Sequence, residues 1–290
     1  MAAVGSVDRV NLFSVDGLVA VVTGGGTGIG RMIATALENN GATVYIVGRR
    51  LAVLETTAKE SNKYGKIFPL QGDVTSKDSL LSLVESIKAR HGYINLLVNN
   101  SGVMFTPPSR HSLGPPKDIK ELQERLWNYA TPEEFAKTFE VNCTGVYFTT
   151  VAFLELLDAG NRQGGIEGVT SQVITLSSIA GLRRDSQQFN AAYSMSKAAV
   201  THLGKTLANI LRDQKIRSNI IAPGLYPSAE MTADAWSEDL IMKGVPLQRG
   251  GEIQDMGGLA LFLASRAGAY VNGTLHISDG GRLGMFSSTY

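Results

Sequence analysis

The stretch that most constrains how this chain can fold is VAVVTGGGTGIGR, residues 19–31. Residues 19–22 include three valines, the β-branched pattern of a strand buried on both faces. A run of glycines follows, and then Met32, Ile33, Ala36 and Leu37 recur at helical spacing. Strand, tight turn and helix start, in that order, form the entrance to a dinucleotide-binding unit. Gly24 takes a backbone conformation that a side chain would forbid. Gly28, between Thr27 and Ile29, lets the backbone approach a pyrophosphate, and Gly30 lets the helix lie close to the strand. The helix N-terminus offers unpaired N–H groups and a positive dipole end to phosphates. A glycine turn without a ligand has the same local pattern, so the flanking strand and helix carry the assignment.

The pattern then repeats. Residues 43–47, 66–70, 94–98, 172–176, 217–221 and 274–277 read as further strands. Helical patterns at 51–62, 77–90, 191–211 and 252–264 lie between them. Alternation of this kind predicts an α/β fold, a doubly wound parallel sheet of Rossmann type with helices on both faces. Ligands bind such sheets beyond the carboxyl ends of the strands. Asp73-Val74, Asn100 and Gly102 all fall at such ends. The 290 residues allow one large α/β domain or two smaller ones; the unbroken rhythm from about 18 to 281 favours one.

Charge excludes several partners. There are 27 basic and 26 acidic residues, so nothing points to nucleic acid or an anionic membrane. No apolar run is long enough for a membrane span, and residues 1–17 lack the apolar block of a secretory signal. The single cysteine, Cys143, excludes an intramolecular disulfide and fits a reducing, cytoplasmic setting. The four histidines are scattered, with no metal-ligand spacing.

The second strand ends in Gly48-Arg49-Arg50. An NAD protein places an acidic residue for the adenosine ribose about 20 residues beyond the glycines. A carboxylate there would repel a 2′-phosphate, whereas a guanidinium binds one with charge-assisted hydrogen bonds. Arg49 therefore points to NADP(H); a solvated arginine opening the next helix is the alternative.

Two stretches break the rhythm. Residues 104–131 hold two Pro-Pro pairs that exclude regular structure, with a short helix expected over 117–129. This insertion either lines a substrate pocket or decorates the surface. Thr131-Pro132-Glu133-Glu134 is then a strong helix start. The helix expected from it runs through Phe135, Phe139, Val146, Phe148, Val151, Leu154 and Leu157, before a polar connection over 158–170. That apolar density exceeds one stripe and implies either deep burial or a partner subunit. Asn142 sits inside it, where an amide needs a reason.

The chemical centre is Tyr193-Ser194-Met195-Ser196-Lys197. On a helix, positions i and i+4 share a face, so Tyr193 and Lys197 stand together. A free tyrosine has a pKa of about 10. An adjacent ammonium is expected to lower it and make the hydroxyl a usable acid or base. The pair recurs by chance on many helices; its weight comes from the nucleotide turn and Ser178 before it.

At this point the residues resemble the compact, single-domain branch of the short-chain dehydrogenase/reductase family. The ordered set is Thr23-Gly-x-x-x-Gly-Ile-Gly30, Asp73-Val74, Asn99-Asn-Ser-Gly102, Asn142, Ser178, Tyr193-x-x-x-Lys197, Pro223-Gly224 and Asp279-Gly-Gly281. The resemblance implies seven strands and a catalytic tetrad of Asn142, Ser178, Tyr193 and Lys197. It implies that Ser178 holds the substrate carbonyl oxygen and Tyr193 passes it a proton. Lys197 would bind the nicotinamide ribose and join a proton relay with Asn142. Asp73 would meet adenine, Asn100 the adenine-side ribose, and Leu225 and Ser228 the nicotinamide end. It also implies a homodimer or homotetramer. Three departures stand out. Ser101 replaces the usual alanine. Ser178 lies 15 residues before Tyr193, which leaves Ser177 as the alternative serine. The insertion and the run Pro227-Ser228-Ala229 look more like fungal members than short bacterial ones.

The function implied is an NADPH-dependent reduction of a ketone to a secondary alcohol, or the reverse oxidation. The alternative is a non-catalytic NADP-binding regulatory or scaffold protein on the same fold. Met104, Phe105, Phe189, Tyr226, Met231 and Trp236 can reach the pocket, which suits a bulky, apolar or aromatic ketone. Arg183 and Arg184 are the residues that could instead receive an acidic group. Residues 224–250, with Gly224 and Gly244, are expected to close as a lid.

Overall fold

Short aliphatic runs bounded by glycine or polar residues form seven strands: β1 Val19–Thr23, β2 Thr43–Gly48, β3 Ile67–Gln71, β4 Leu96–Asn99, β5 Gln172–Leu176, β6 Arg217–Pro223 and β7 Leu275–Ser278. The computed structural model describes residues 7–105, 116–185, 190–227 and 238–290. Phe189, Ser228, Met231 and Trp236 lie outside the described residues. The strands form one sheet in the order β3-β2-β1-β4-β5-β6-β7, and every neighbouring pair is parallel. It is the doubly wound Rossmann-type sheet that the sequence predicts.

The early helices are α1 Arg9–Phe13, α2 Gly28–Glu38, α3 Leu51–Ser61, α4 Lys77–Arg90 and α5 Ile119–Trp127. They are followed by α6 Pro132–Phe139, α7 Gly145–Ala152, α8 Leu154–Gln163, α9 Ala191–Ile210, α10 Glu238–Gly244 and α11 Ile253–Ala264. Two cores cover the two faces of the sheet. On one, Ile33 and Leu37 of α2 and Met256 and Leu263 of α11 pack on Val22, Ile46 and Val98. On the other, Ile87 of α4, Leu156 of α8 and Leu207 of α9 pack on Val21, Tyr45 and Leu97. Coverage on both sides explains why β1, β4 and β5 are buried from end to end. The chain leaves β1 for β2 on one side and returns to β4 on the other. That reversal opens a crevice at the carboxyl ends of β1 and β4.

The single helix expected after Thr131 is three pieces. Its start is as the sequence indicates: the Thr131 hydroxyl accepts from the Glu134 N–H, and the Glu134 carboxylate accepts from the Thr131 N–H. A π-helical turn then occupies Glu140–Thr144, centred on Asn142, and Phe153 breaks α7 from α8. The polar stretch expected as a connection belongs partly to α8, because Leu156, Leu157, Ala159 and Gly160 face the core. Tyr147, Val151 and Met195 remain exposed on α7 and α9. The helix of the insertion, α5, buries none of its residues. Among the described residues no helix is long and apolar enough to cross a membrane.

Packing is close where α2 meets the loops after β1 and β4. A Cβ at Gly30 would stand 2.2 Å from the Gly24 carbonyl oxygen and 2.4 Å from Asn100 Nδ2. Gly30→Ala is expected to push α2 outward and cost about 1–3 kcal/mol, the scale of overpacking a filled site. Urea denaturation checks this; a midpoint equal to that of the wild type would show that the contact yields freely.

Candidate active site

The crevice is stitched together before any ligand is considered. The Thr23 hydroxyl donates to the Val98 carbonyl at 3.3 Å and accepts from the N–H groups of Asn100 and Ser101 at 3.0 and 3.1 Å. Asn100 Nδ2 donates to the carbonyls of Thr23 at 2.9 Å and Gly24 at 3.1 Å. The amide of Asn100 thus ties the loop after β4 to the loop after β1, and its side chain is committed to that task. Gly24 has φ +64° and Gly28 φ +51°, the left-handed region that makes glycine the fitting residue. Ile29 packs its side chain on the core and leaves its backbone at the first turn of α2.

Around this seam lies a cleft lined by Gly24, Thr27, Gly48, Arg49, Asp73, Val74, Asn100 and Gly102. The sequence reading placed all of these at strand ends or in the glycine turn. It missed Lys137 and Val141, which reach the same cleft from α6 and the π-turn. No periodic pattern marks them, since their position depends on how α6 packs against α9. Asp73 is fixed by its own loop: Oδ1 accepts from the Thr75 N–H at 2.9 Å and the Thr75 hydroxyl at 2.7 Å. Burial pushes its carboxyl up, but those two bonds and the Arg49 and Lys137 charges hold it below its ordinary value. Gly24, Gly26, Gly48, Gly72 and Gly102 line the cleft, and Arg49 stands at its exposed end. The residues present fit a dinucleotide: open backbone for phosphates, a carboxylate at Asp73 and guanidinium charge at the outer end.

Across the sheet, at the end of β5, the predicted catalytic residues converge. Ser178 caps a short 3-10 turn, Ile179–Gly181, through a bond from the Ala180 N–H at 3.2 Å. Its hydroxyl is the group that opposes the effect of burial on the Tyr193 phenol. Ser177, the alternative, points the other way: its hydroxyl donates to the Lys197 carbonyl at 2.8 Å and pairs with Thr201 at 2.6 Å. Asn190 caps α9 by accepting from the Tyr193 N–H at 2.9 Å, which fixes where the helix begins. One turn later Lys197 is buried, and its Nζ donates to the Leu176 carbonyl at 2.9 Å.

Three expectations need correction. The Tyr193 pKa is raised rather than lowered, although Lys197 Nζ lies 5.7 Å from its ring centroid. Burial pushes the phenol up, opposed only by the Ser178 hydroxyl, and burial brings the Lys197 amine down to about 8. The Asn142 amide is fully engaged with backbone and serine rather than with Lys197. Its Oδ1 accepts from the Val103 N–H at 2.8 Å, and Nδ2 donates to the Val103 carbonyl and Ser196 Oγ at 3.0 Å each. Tyr226 does not line a substrate pocket. It is 5% exposed, bonded to Ser278 and covered by Gly251, where a Cβ would stand 2.4 Å from its ring. Pro223, Gly224 and Leu225 continue from β6 beside the Ser178 turn, and the Ser177 N–H donates to Ile221. Phe105 and Met104 are exposed at the mouth of the β4 loop. Arg183 is held by Asp185 rather than left to receive an acidic group.

The Lys197 shift has a stability consequence. Its ordinary value is 10.5, and the folded protein brings it to about 8. Between those values the unfolded chain holds more protons than the folded one, so stability rises with pH. Below about 8 both states are charged and the burial penalty is fully present. Lys197→Met is expected to remove this rise. Urea denaturation of both proteins at several pH values between about 8 and 10 checks it. A rise in the wild type no larger than in Lys197→Met would contradict the assignment.

The comparisons with known proteins agree with this geometry. A family model described as enoyl-(acyl carrier protein) reductase matches residues 24–282. The short-chain dehydrogenase/reductase PhomF of Diaporthe leptostromiformis is 50% identical, with 98% of each chain covered. The short-chain dehydrogenase/reductase VdtF of Byssochlamys spectabilis is 44% identical, with 97% of each covered. The solved Pseudomonas aeruginosa RhlG/NADP active-site complex superposes with a TM-score of 0.80 at 29% identity, covering 94% of this chain and 99% of that one. The chain therefore belongs to the short-chain dehydrogenase/reductase family and is an oxidoreductase of its nicotinamide-dependent kind.

Proposed function

We propose that this protein is an NADPH-dependent reductase of bulky, apolar or aromatic ketones, working also in reverse as an alcohol dehydrogenase. The observation that carries the reading is the grouping of Ser178 at the end of β5 with Tyr193 and, one turn further along α9, the buried Lys197. When bound, the cofactor supplies the hydride. The protein supplies position and a proton. Ser178 and Tyr193 present two hydroxyls to one carbonyl oxygen. A phenol whose pKa is raised keeps its proton at neutral pH, so Tyr193 is loaded as an acid for reduction. Lys197, at about 8, is mostly charged at pH 7 and sits as the positive group behind the phenol. Asn142 serves by holding Val103 and Ser196, which keeps the β4 loop and α9 at a fixed spacing.

Cofactor choice follows from β2. Gly48 offers no carboxylate, and Arg49 lines the cleft at the position where a 2′-phosphate is expected. The substrate class follows from the exposed Met104 and Phe105 and from Arg183, whose charge faces Asp185.

Arg49→Ala is expected to weaken NADPH binding by about 1.5–3 kcal/mol, the scale of a charged hydrogen bond, and to leave NADH nearly unchanged. Titration of both cofactors reads the difference, and equal losses would remove Arg49 from the phosphate site. NADPH oxidation against aryl, polycyclic and small polar ketones tests the chemistry itself. Tyr193→Phe should lower kcat by about 10²–10⁴-fold while NADPH still binds. A Tyr193→Phe enzyme with wild-type turnover would sink the mechanism, and preference for small hydroxylated ketones would sink the substrate class.

A further inference from the structure

Residues 282–290 show no sequence pattern, and neither the cofactor cleft nor the proton donor uses them. They fold back over the turn that carries Ser178. On one side that turn is pinned by α9: a Cβ at Gly181 would stand 2.6 Å from the backbone of Lys197 and Ala198. On the other side it meets the tail. Ile179 and Leu182 share a buried cluster with Leu283. The Leu182 carbonyl accepts from the N–H of Thr289 at 2.8 Å and its hydroxyl at 3.2 Å. The Arg184 N–H donates to Ser287 at 2.8 Å, and Arg183 pairs antiparallel with Ser288.

Phe286 is the anchor of this fold-back. The Arg183 guanidinium lies 3.6 Å from its ring centroid and that of Arg282 lies 5.2 Å away. Asp185 grips Arg183 with both oxygens, at 2.7 and 2.5 Å. Arg282, only 3% exposed, donates to the Gly244 carbonyl at the end of α10. One aromatic ring therefore joins the arginine that follows the Ser178 turn to the arginine that holds α10. Cations over an aromatic face are strongest where water is excluded, as at Arg282.

We propose that Phe286 is a positioning residue: held by Arg183 and Arg282, it fixes the Ser178 turn and the end of α10 relative to each other. The proposal rests on reading Ser178, Tyr193 and Lys197 as the site of carbonyl reduction. A serine hydroxyl moved by a fraction of an ångström loses its alignment with Tyr193. The cleft between β1 and β4 shares none of the tail contacts and should keep its affinity for the cofactor.

The test compares wild type, Phe286→Ala, Phe286→Leu and Phe286→Tyr by amide hydrogen exchange, NADPH binding and reduction of 1-tetralone. Phe286→Ala is expected to raise exchange over residues 178–185 and 241–249 and leave residues 19–48 unchanged. NADPH affinity should stay within about twofold, while kcat falls about 10–100-fold, the cost of misplacing a reacting group. Phe286→Tyr, which keeps a ring for both arginines, should restore kcat and protection. Phe286→Leu keeps apolar bulk without the ring and should behave like Phe286→Ala; it decides the matter if Phe286→Ala fails to fold. Unchanged exchange in both segments overturns the proposal, as does wild-type kcat per NADPH-binding molecule in the folded ring-less variant. A wild type that reduces no ketone, with the exchange coupling intact, would remove the ketone reading and leave the clamp standing.

Discussion

The contact of α2 with β1 at Gly30 is the constraint on which the cofactor half of the site depends. Only a residue without Cβ lets the helix come so near that Asn100 can donate to both Thr23 and Gly24. Those two bonds, with the Thr23 hydroxyl, fix the loops after β1 and β4 against each other. The cleft opens where the strand order reverses, so its floor is made of loop ends that would otherwise be free to move apart. Glycine at 30 supplies the closeness, and the loops it brings together carry the cleft residues Gly24, Asn100 and Gly102.

The catalytic half is organised by desolvation rather than by direct ion pairing. Tyr193 and Lys197 share a helix face, where Lys197 is buried and Tyr193 half-buried. Burial penalises the charged form of each, so the phenol rises and the amine falls. Their ordinary values lie close together; burial moves them apart, the phenol up and the amine down to about 8. The hydrogen bonds set the geometry: the Leu176 carbonyl accepts from the ammonium, and the hydroxyls of Ser177 and Thr201 donate to the Lys197 carbonyl. Two adjacent serines thus do different work because successive residues leaving a strand point in opposite directions.

Much of this was legible in the sequence because it is local. Strand–turn–helix at 19–31, the capping of α6 by Thr131 and the Tyr193–Lys197 spacing are each set within one element. Parallel strands covered on both faces also read plainly as short aliphatic runs. What escaped was non-local. Asn142 looked like a helical residue seeking a partner; its partner is Val103, and the π-turn is the backbone adjustment that brings them together. Tyr226 looked available because it follows a strand end, but Gly251 returns beneath it. Lys137 reaches the cleft only through the packing of α6 against α9. The direction of the Tyr193 shift is non-local in the same way: the spacing to Lys197 is set within one helix, and the burial that pushes the phenol up is tertiary.

The tail extends this point to the whole chain. The residues around Ser178 are completed by contacts with Thr289, 107 positions further along from Leu182. The Asn100–Thr23 contact spans 77 positions, and Asn142–Ser196 spans 54. Each half of the site is therefore closed by a segment made much later than the one it holds. Loop-closure entropy must be met before such contacts reward it, so the strands can pair while the site is still unfinished. A chain cut short of residue 282 would retain every strand and helix named above and every residue of the tetrad. It would lack the surface that seats the Ser178 turn, which is why the last residues, featureless as sequence, belong to the machinery.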